Sequence, residues 1–444
     1  MSKLFAKRKR LTSFQIIILA FSGVILLGTL VLMLPLSSRD GQTTSFLNAL
    51  FTATSAVCVT GLVIHDTATY WSVFGQVAIL LLIQIGGMGV ITVAASFAML
   101  SGRRISLKQR STMQEAISAP KVGGIVRLTG FIIKITLSIE LLGAAAMAPV
   151  FCRDFGFQGL WMALFHSVSA FCNAGFDLMG TREAFSSLTS YAADPVVNVT
   201  VMLLILVGGI GFLTWDDIRV NRWHLHKYRM QSKVILCTTA ILLTVPTVYF
   251  FFGVFDRLPL GKRLLVSLFQ SVTPRTAGFN TADLTAMGEP GQAVILMLML
   301  VGGSPGSTAG GMKTTTVAVL FATVISSFRR QEHPHFFGRR IDDDVVKNAV
   351  TVMLMYLTLF LTGGLVISIA EGLPVLTCLF EAASAIGTVG LSLGITAGLG
   401  NLSRLILIGL MFFGRVGGLT LIFAALSGSR KTRSKLPQEK ITVG

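Results

Sequence analysis

Four short segments of the sequence resemble one another and determine the fold. They are FTATSAVCVTGL at residues 51–62, FHSVSAFCNAGF at 165–176, FQSVTPRTAGF at 269–279 and FEAASAIGTVGL at 380–391. Each begins with phenylalanine and carries a glycine ten residues later, or nine residues later in the third segment. These glycines are separated by 114, 103 and 112 residues, so the chain contains four repeats of similar length.

Each short segment lies between two long apolar stretches. Uncharged runs such as 14–34, 67–102 and 234–255 are long enough to cross a bilayer as helices, and about eight such spans are predicted. The helical part of a short segment has only about 11 residues, for example 45–55, and would be ~16 Å long. That length covers half a membrane, so each segment must enter and return as an extended strand.

Extended backbone at membrane depth is tolerated only where it lines a water-filled path or is buried in protein. The sequence therefore predicts an all-α polytopic membrane protein with four membrane–pore-loop–membrane repeats in pseudo-fourfold symmetry around a single pore. A shared glycine signature in the spans that follow the short segments supports the repeat: IGGMG at 85–89, VGGIG at 207–211, VGG at 301–303 and RVGG at 415–418. The predicted order is a basic N-terminus 1–13, repeat one 14–102, repeat two 103–218, repeat three 219–328, repeat four 329–427 and a basic tail 428–444.

The charge distribution indicates the topology. The chain has 444 residues, of which 52% are hydrophobic and 13% charged, and its formal net charge is +17. Such a charge on a soluble protein would indicate a nucleic-acid partner. Here the basic residues cluster in every second connection, which is the positive-inside pattern, so no nucleic acid is expected and both termini are predicted in the cytoplasm. No metal or disulfide spacing of cysteines is visible, and no cofactor bound by this chain is expected.

The matched glycines predict an ion filter. Rings of backbone carbonyl oxygens can replace the water shell of K⁺, and glycine adopts the required positive φ without penalty. None of the candidate side chains is acidic, so coordination by backbone is expected. The alternative is that the glycines only allow close helix packing. The candidate K⁺ filter consists of Val59, Thr60, Gly61, Asn173, Ala174, Gly175, Thr276, Ala277, Gly278, Thr388, Val389 and Gly390.

A glycine-rich stretch interrupts the second span of repeat three and predicts a gate. Glycine and proline are costly in a helix interior, so a continuous helix through residues 302–313 is improbable, and a flexible loop across the path below the filter is expected. A surface loop joining two separate helices is the alternative. The candidate gate residues are Gly303, Ser304, Pro305, Gly306, Ser307, Thr308, Ala309, Gly310, Gly311 and, as a weaker candidate that could instead reach the cytoplasmic surface, Lys313.

Arg415 completes the candidate gate. It interrupts the apolar run 405–427, where a buried charge needs partners. We expect pairing with carbonyls or hydroxyls of residues 303–311, and snorkelling to the interface is the alternative. Glu140, also in an apolar span, is interpreted as a hydrogen-bonding partner between helices. The residues that follow the repeated phenylalanine are expected to anchor the pore helices rather than touch the ion: His166, Gln270 and Glu381.

The sequence resembles the Trk/Ktr/HKT superfamily of K⁺ transporters, and most closely the bacterial Ktr membrane subunit. The most specific match is TPRTAGFN at 273–280, with TVG at 388–390 and NAGF at 173–176. The resemblance implies that the four glycines select K⁺, that 302–313 is an intramembrane gate and that Arg415 approaches it. In Na⁺-preferring relatives a serine stands at the place of Gly61, which favours K⁺ here. The Trk branch carries two extra N-terminal helices, which the short stretch before Leu11 does not provide.

The resemblance also implies partners. Ktr membrane subunits form homodimers on a cytoplasmic ring of nucleotide-binding regulatory subunits in the bacterial inner membrane, so nucleotide is expected on that partner. The basic connections would suit such a ring or anionic membrane lipid equally well. K⁺ is the expected substrate, with Na⁺ coupling left open. Further alternatives are a Trk-type or Na⁺-permeable transporter, a secondary transporter of another solute, a membrane enzyme and a scaffold. A secondary transporter would need inverted repeats and an enzyme would need a convergent catalytic cluster, and neither is visible in the sequence. A scaffold would have no need of four pore loops.

Overall fold

The computed structural model describes residues 12–100, 105–117, 123–418 and 420. The basic tail 428–444 and all but two residues of the N-terminus 1–13 lie outside this part of the chain. Within it the fold consists of α-helices and one two-stranded hairpin.

The helices follow the predicted order of repeats. Repeat one contains α1 (Ser13–Leu32), α2 (Phe46–Cys58), α3 (Thr67–Tyr70), α4 (Val73–Met88) and α5 (Val90–Leu100), and α6 (Leu107–Ile117) leads to repeat two. Repeat two contains α7 (Ile125–Phe155), α8 (Gln158–Phe171), α9 (Pro195–Gly209) and α10 (Phe212–Asn221). Repeat three contains α11 (Met230–Tyr249), a π-turn (Phe250–Val254), α12 (Leu260–Val272), α13 (Gly288–Met299) and α14 (Thr314–Phe328). After β1 (His335–Phe336) and β2 (Arg339–Arg340), repeat four contains α15 (Asp343–Glu371), α16 (Val375–Gly387) and α17 (Asn401–Val416).

The pore helices α2, α8, α12 and α16 form the centre of the fold. They have 13, 14, 13 and 13 residues, slightly more than the 11 expected, and still reach only about 20 Å. The phenylalanine that opens each repeated segment is fully buried: Phe51, Phe165, Phe269 and Phe380. The repeated phenylalanines therefore pin the four pore helices into one core.

In the described residues the second span of a repeat is broken rather than one continuous helix. Four helices in the described residues are long and apolar enough to cross a membrane, namely α1, α7, α11 with its π-turn, and α15. Each is the first span of its repeat. The pairs α4–α5 and α9–α10 bend by 97° and 96°. The bends occur at Gly89 and Gly211, and α17 ends at Gly417, all three with φ between 85° and 92°, a region that favours glycine.

Glycines in or next to the same signature press against the pore helices. A Cβ atom on Gly86, Gly208 or Gly414 would lie closer than 3.0 Å to a carbonyl oxygen near the end of α2, α8 or α16. The close packing of helices and the bending of spans therefore use different glycines of one motif.

We predict that Gly414→Ala destabilises the protein and that Gly409→Ala in the same helix does not. The new methyl group at position 414 would overlap the carbonyl oxygen of Ile386, whereas position 409 has open space. Overpacking costs about 1–3 kcal/mol, and alanine in a helix is favoured over glycine by about 1 kcal/mol. Thermal unfolding of the detergent-purified variants measures the difference. Equal midpoints for the two variants would contradict the packing role.

Candidate functional site

Four glycines meet in a closed ring. Gly61, Gly175, Gly278 and Gly390 have φ of 91°, 70°, 76° and 94°. A Cβ atom on any of them would lie closer than 3.0 Å to the carbonyl oxygen that precedes the next glycine around the ring: Gly61 to Ala174, Gly175 to Ala277, Gly278 to Val389, and Gly390 to Thr60. The structure thus brings together all four sequence-predicted strands around one axis, and no side chain larger than hydrogen fits at the ring.

The backbone before each glycine has the same conformation in all four repeats. The residue two positions earlier is left-handed although it is not glycine, with φ of 58° at Val59, 59° at Asn173, 66° at Thr276 and 51° at Thr388. Each strand thus has two left-handed residues, one on either side of a residue with negative φ. This alternation turns successive carbonyl groups toward the same side, whereas in a β-strand they point to alternating sides. Such residues are costly and persist only where the surroundings fix them.

A hydroxyl residue in or directly after each pore helix fixes the strand. The carbonyl oxygens of Ser55, Ser169, Thr273 and Ser384 accept hydrogen bonds of 2.8–3.0 Å from the residue preceding each ring glycine. Their hydroxyl groups accept from the amides of Gly61 and Gly390 at 3.1 and 3.0 Å, or donate to the carbonyls of Phe176 and Phe279. The sequence analysis assigned these residues no role, although a hydroxyl four positions after each repeated phenylalanine was a visible signal.

Three polar side chains anchor the pore helices to the strands that leave the ring. His166 Nε2 accepts from the amide of Leu178 at 3.3 Å, and Gln270 Nε2 donates to Asn280 Oδ1 at 2.9 Å. Glu381 accepts from the hydroxyls of Ser392 and Thr396 and from an amide. These are the contacts that the anchor interpretation requires.

Glu140 links two repeats. Its carboxylate on α7 accepts from Gln84 Nε2 on α4 at 3.1 Å, and its backbone carbonyl accepts from Ser167 on the pore helix α8. The residue therefore joins helices, as interpreted from the sequence.

The stretch 302–313 folds into the bundle between α13 and α14. Ser304 and Thr308 are fully buried, so the alternative of a surface loop is wrong. The amides of Ser304 and Thr308 donate to the carbonyls of Gly209 and Gly208, where α9 bends, and Phe212 N returns a bond to Gly306 O at 2.7 Å. Gly311 N donates to the carbonyl of Gly414 at 3.1 Å. The loop thus fills hydrogen-bonding positions beside the second spans of repeats two and four.

Thr308 connects this loop directly to the ring strands. Its hydroxyl donates to the carbonyl of Phe171 at 3.0 Å and contacts Asn173 Oδ1 at 3.1 Å. The amide nitrogen of Asn173 in turn reaches Arg275 O and Thr276 Oγ1, both at 3.4 Å. One hydroxyl and one side-chain amide therefore join the loop, repeat two and repeat three.

Arg415 lies against the loop rather than snorkelling to an interface. Its guanidinium donates to the carbonyls of Thr308 and Gly86 and to that of Gly87 at 3.2 Å. Lys313 turns back onto the loop, with Nζ 2.9 Å from the carbonyl of Ala309. Among the described residues no carboxylate forms an ion pair with either cation, so their charges are balanced by carbonyl dipoles.

Two cavities flank this arrangement. The first, about 210 Å³, is lined by ring glycines and by Asp66 and Asp177. Asp177 follows the second ring strand outside the spanning helices. Burial, opposed by a hydrogen bond from the Met179 amide and helped by the Asp66 carboxylate, raises the pKa of its carboxyl to about 7. The second cavity, about 290 Å³, lies by the loop and includes Arg415 and Lys313 in its wall.

These features define a class of protein: an integral membrane protein with four pore loops around one pseudo-fourfold axis. The family model for TrkH, described as a cation transport protein, matches residues 3–435. The chain therefore belongs to the TrkH family, a family of ion transporters rather than enzymes, and the resemblance drawn from the sequence is confirmed.

The relatives agree with this family. The chain is 38% identical to the potassium/sodium uptake protein NtpJ of Enterococcus hirae, over 98% of each chain. It is 36% identical to Ktr system potassium uptake protein B of Bacillus subtilis, over 98% of this chain and 97% of the relative. The crystal structure of the potassium transporter TrkH from Vibrio parahaemolyticus superposes with a TM-score of 0.73 at 20% identity, covering 94% of this chain and 86% of that one. This match confirms the pseudo-fourfold fold.

Proposed function

We propose that this chain is the potassium-translocating subunit of a bacterial uptake system and that K⁺ passes through the glycine ring. The observation that carries the proposal is the closed ring of four matched glycines, each beside the preceding carbonyl of the next repeat. Relatives that share 34–38% of the sequence over nearly the full length are named as potassium uptake proteins.

In this proposal the carbonyl oxygens of the filter replace the hydration shell of the ion. Backbone oxygens suit the task because the pore helices and their hydroxyl residues hold them in place, so little reorganisation accompanies ion entry. The pore helices also direct the negative ends of their dipoles toward the ring. The first cavity then faces the outside, where Asp66 and Asp177 attract cations.

The loop 302–313 then acts as the gate. Its contacts with Gly208, Gly209 and Gly414 hold it beneath the ring, and Arg415 fastens it to repeat one through Gly86. K⁺ leaving the ring meets this loop before the second cavity, so conduction requires the loop to move. Thr308 and Asn173 couple that movement to the filter strands.

The surroundings follow from the basic connections. The positive-inside pattern supports a cytoplasmic position, at the bacterial inner membrane, for the second cavity and both termini. Two relatives are named as parts of a Ktr system, which supports further components beside this chain. A cytoplasmic nucleotide-binding ring and a homodimer in the membrane are the partners that the sequence resemblance implies.

Sodium is the second candidate ion. The name of the Enterococcus hirae relative includes both ions, which favours Na⁺ as a coupled or permeating ion. Parallel uptake of ²²Na⁺ and ⁸⁶Rb⁺ by cells that express the chain distinguishes the two roles. Rb⁺ uptake that rises with external Na⁺ would support coupled transport of the two ions. Inhibition of Rb⁺ uptake by Na⁺ would support permeation of both ions through the same path.

We predict that Gly61→Ser and Gly278→Ser each lower K⁺ uptake by about fivefold or more. Both residues have positive φ, and a side chain at either would overlap a carbonyl oxygen of the neighbouring strand. A strain of 1–3 kcal/mol in the filter corresponds to about 5- to 150-fold in an equilibrium constant. Growth of a K⁺-uptake-deficient bacterium at low K⁺, with ⁸⁶Rb⁺ uptake, measures the effect.

The matched control for this experiment is Gly409→Ser, at a glycine with open space around it. It should grow like the wild type. Rescue by the wild type that neither filter substitution weakens, at equal membrane levels, would remove the filter assignment.

We predict that Arg415→Ala raises K⁺ flux several-fold, because each hydrogen bond from a charged group contributes about 1.5–3 kcal/mol to holding the loop. Arg415→Lys should be intermediate, since an ammonium keeps the charge but cannot reach both carbonyls as a planar fork. ⁸⁶Rb⁺ flux into proteoliposomes measures both variants. An unchanged flux in the alanine variant with normal expression would contradict the gate assignment.

A further inference from the structure

A groove lies away from the ring and gate, between α11 and α14. It encloses about 580 Å³, and the hairpin β1–β2 closes one end. Its walls are apolar, with Ile241 and Leu242 from α11 and Phe321 and Ile325 from α14. The groove thus presents an apolar slot along two membrane helices, with its closed end at the basic side of the bundle.

Basic side chains surround that closed end. Arg329, the first residue after α14, lines the groove together with His335. The segment 329–340 contains four arginines and one glutamate. Of the acidic residues nearby, Asp343 pairs with Arg340, whose Nη2 lies 3.6 Å from Oδ2, and the Glu332 side chain is exposed to solvent. In the described part of the chain the Arg329 guanidinium has neither a hydrogen bond nor an ion pair.

Aromatic side chains mark this level as a membrane boundary. Phe328 is 84% exposed at the end of α14, and Phe337 is 56% exposed at the hairpin tip, where Lys233 Nζ lies 5.8 Å from its ring centre. Exposed phenylalanines beside basic residues suit the interface between hydrocarbon and headgroups, as in amphipathic interfacial helices. A soluble partner would not reach the apolar walls, which continue into the exposed aliphatic face of α11 at Val245.

We propose that the groove binds an anionic phospholipid, with an acyl chain between α11 and α14 and the phosphate at Arg329. Apolar slots between membrane helices that end in basic residues suit such lipids in chemistry and charge. The lipid would rest on α14, which begins at Thr314 directly after the gate loop. The inference uses the orientation proposed above only to assign the lipid to the cytoplasmic leaflet.

Native mass spectrometry of the delipidated full-length protein tests the site, with phosphatidylglycerol and phosphatidylcholine as probes. The wild type should retain more phosphatidylglycerol than phosphatidylcholine. Arg329→Gln should lower that retention about fivefold, since one basic residue contributes ~1 kcal/mol. The matched control Arg330→Gln changes a neighbouring exposed arginine that does not line the groove and should leave retention unchanged.

A second pair of variants tests the slot itself. Ala322→Phe, at a residue of the groove wall, should lower retention of both lipids, whereas Val324→Phe, at a lipid-facing residue outside it, should not. Equal retention of the two lipids by the wild type, or equal behaviour of Arg329→Gln and Arg330→Gln, would overturn the proposal. Dissociation of a dimer by Ala322→Phe with unchanged lipid retention would assign the groove to a second copy of the chain instead. None of these measurements depends on ion transport, so a failure of the lipid proposal can be distinguished from a failure of the proposed filter.

Discussion

The constraint on which this structure depends is that backbone polar groups at membrane depth must be paired within the protein. A continuous helix meets it by itself, but this chain breaks its second spans at Gly89 and Gly211 and leaves its pore helices as half-length rods. The amides and carbonyls that lose their helical partners form hydrogen bonds with other parts of the protein. The loop of repeat three donates to the bent α9, and the ring strands donate to the pore helices that precede them. Irregular backbone is therefore stable here because the loop finds partners in other repeats and each ring strand finds one in the pore helix of its own repeat.

Symmetry and asymmetry have separate consequences. The ring is built from equivalent residues of all four repeats, so its geometry is redundant and close to fourfold. The loop belongs to repeat three alone, yet it contacts repeats two and four, and Arg415 carries it to repeat one. A single asymmetric insertion thereby touches every wall of the path. The loop and the ring are connected by one buried hydrogen-bonded pair, Thr308 and Asn173.

The sequence was sufficient to predict the repeats, the four glycine strands and the inserted loop, because each depends on local pattern or on a residue type with no substitute. It did not predict the bends. A glycine pair in an apolar span is equally compatible with close packing, as at Gly208, and with a break, as at Gly211. Which occurs depends on whether a distant segment offers partners to the freed backbone, and Ser304 is 93 residues further along the chain than Gly211. The hydrogen bonds of the Ser55 and Ser384 hydroxyls to the ring strands were not predicted either. Serine in a membrane helix commonly bonds only its own preceding turn, so its presence alone does not indicate a more distant partner.

The surroundings of Arg415 bear on how such a loop could open. Its partners among the described residues are carbonyl oxygens, shared between the loop at Thr308 and the bend of repeat one at Gly86 and Gly87. Displacing the loop alone removes one of these partners and leaves a guanidinium less well compensated at membrane depth, which is costly. The cost falls if the loop and the guanidinium move together, or if α14 is drawn outward from its far end. If the loop is the gate proposed above, its fastening by a cation favours the closed state, and opening draws its free energy from an interaction outside the pore.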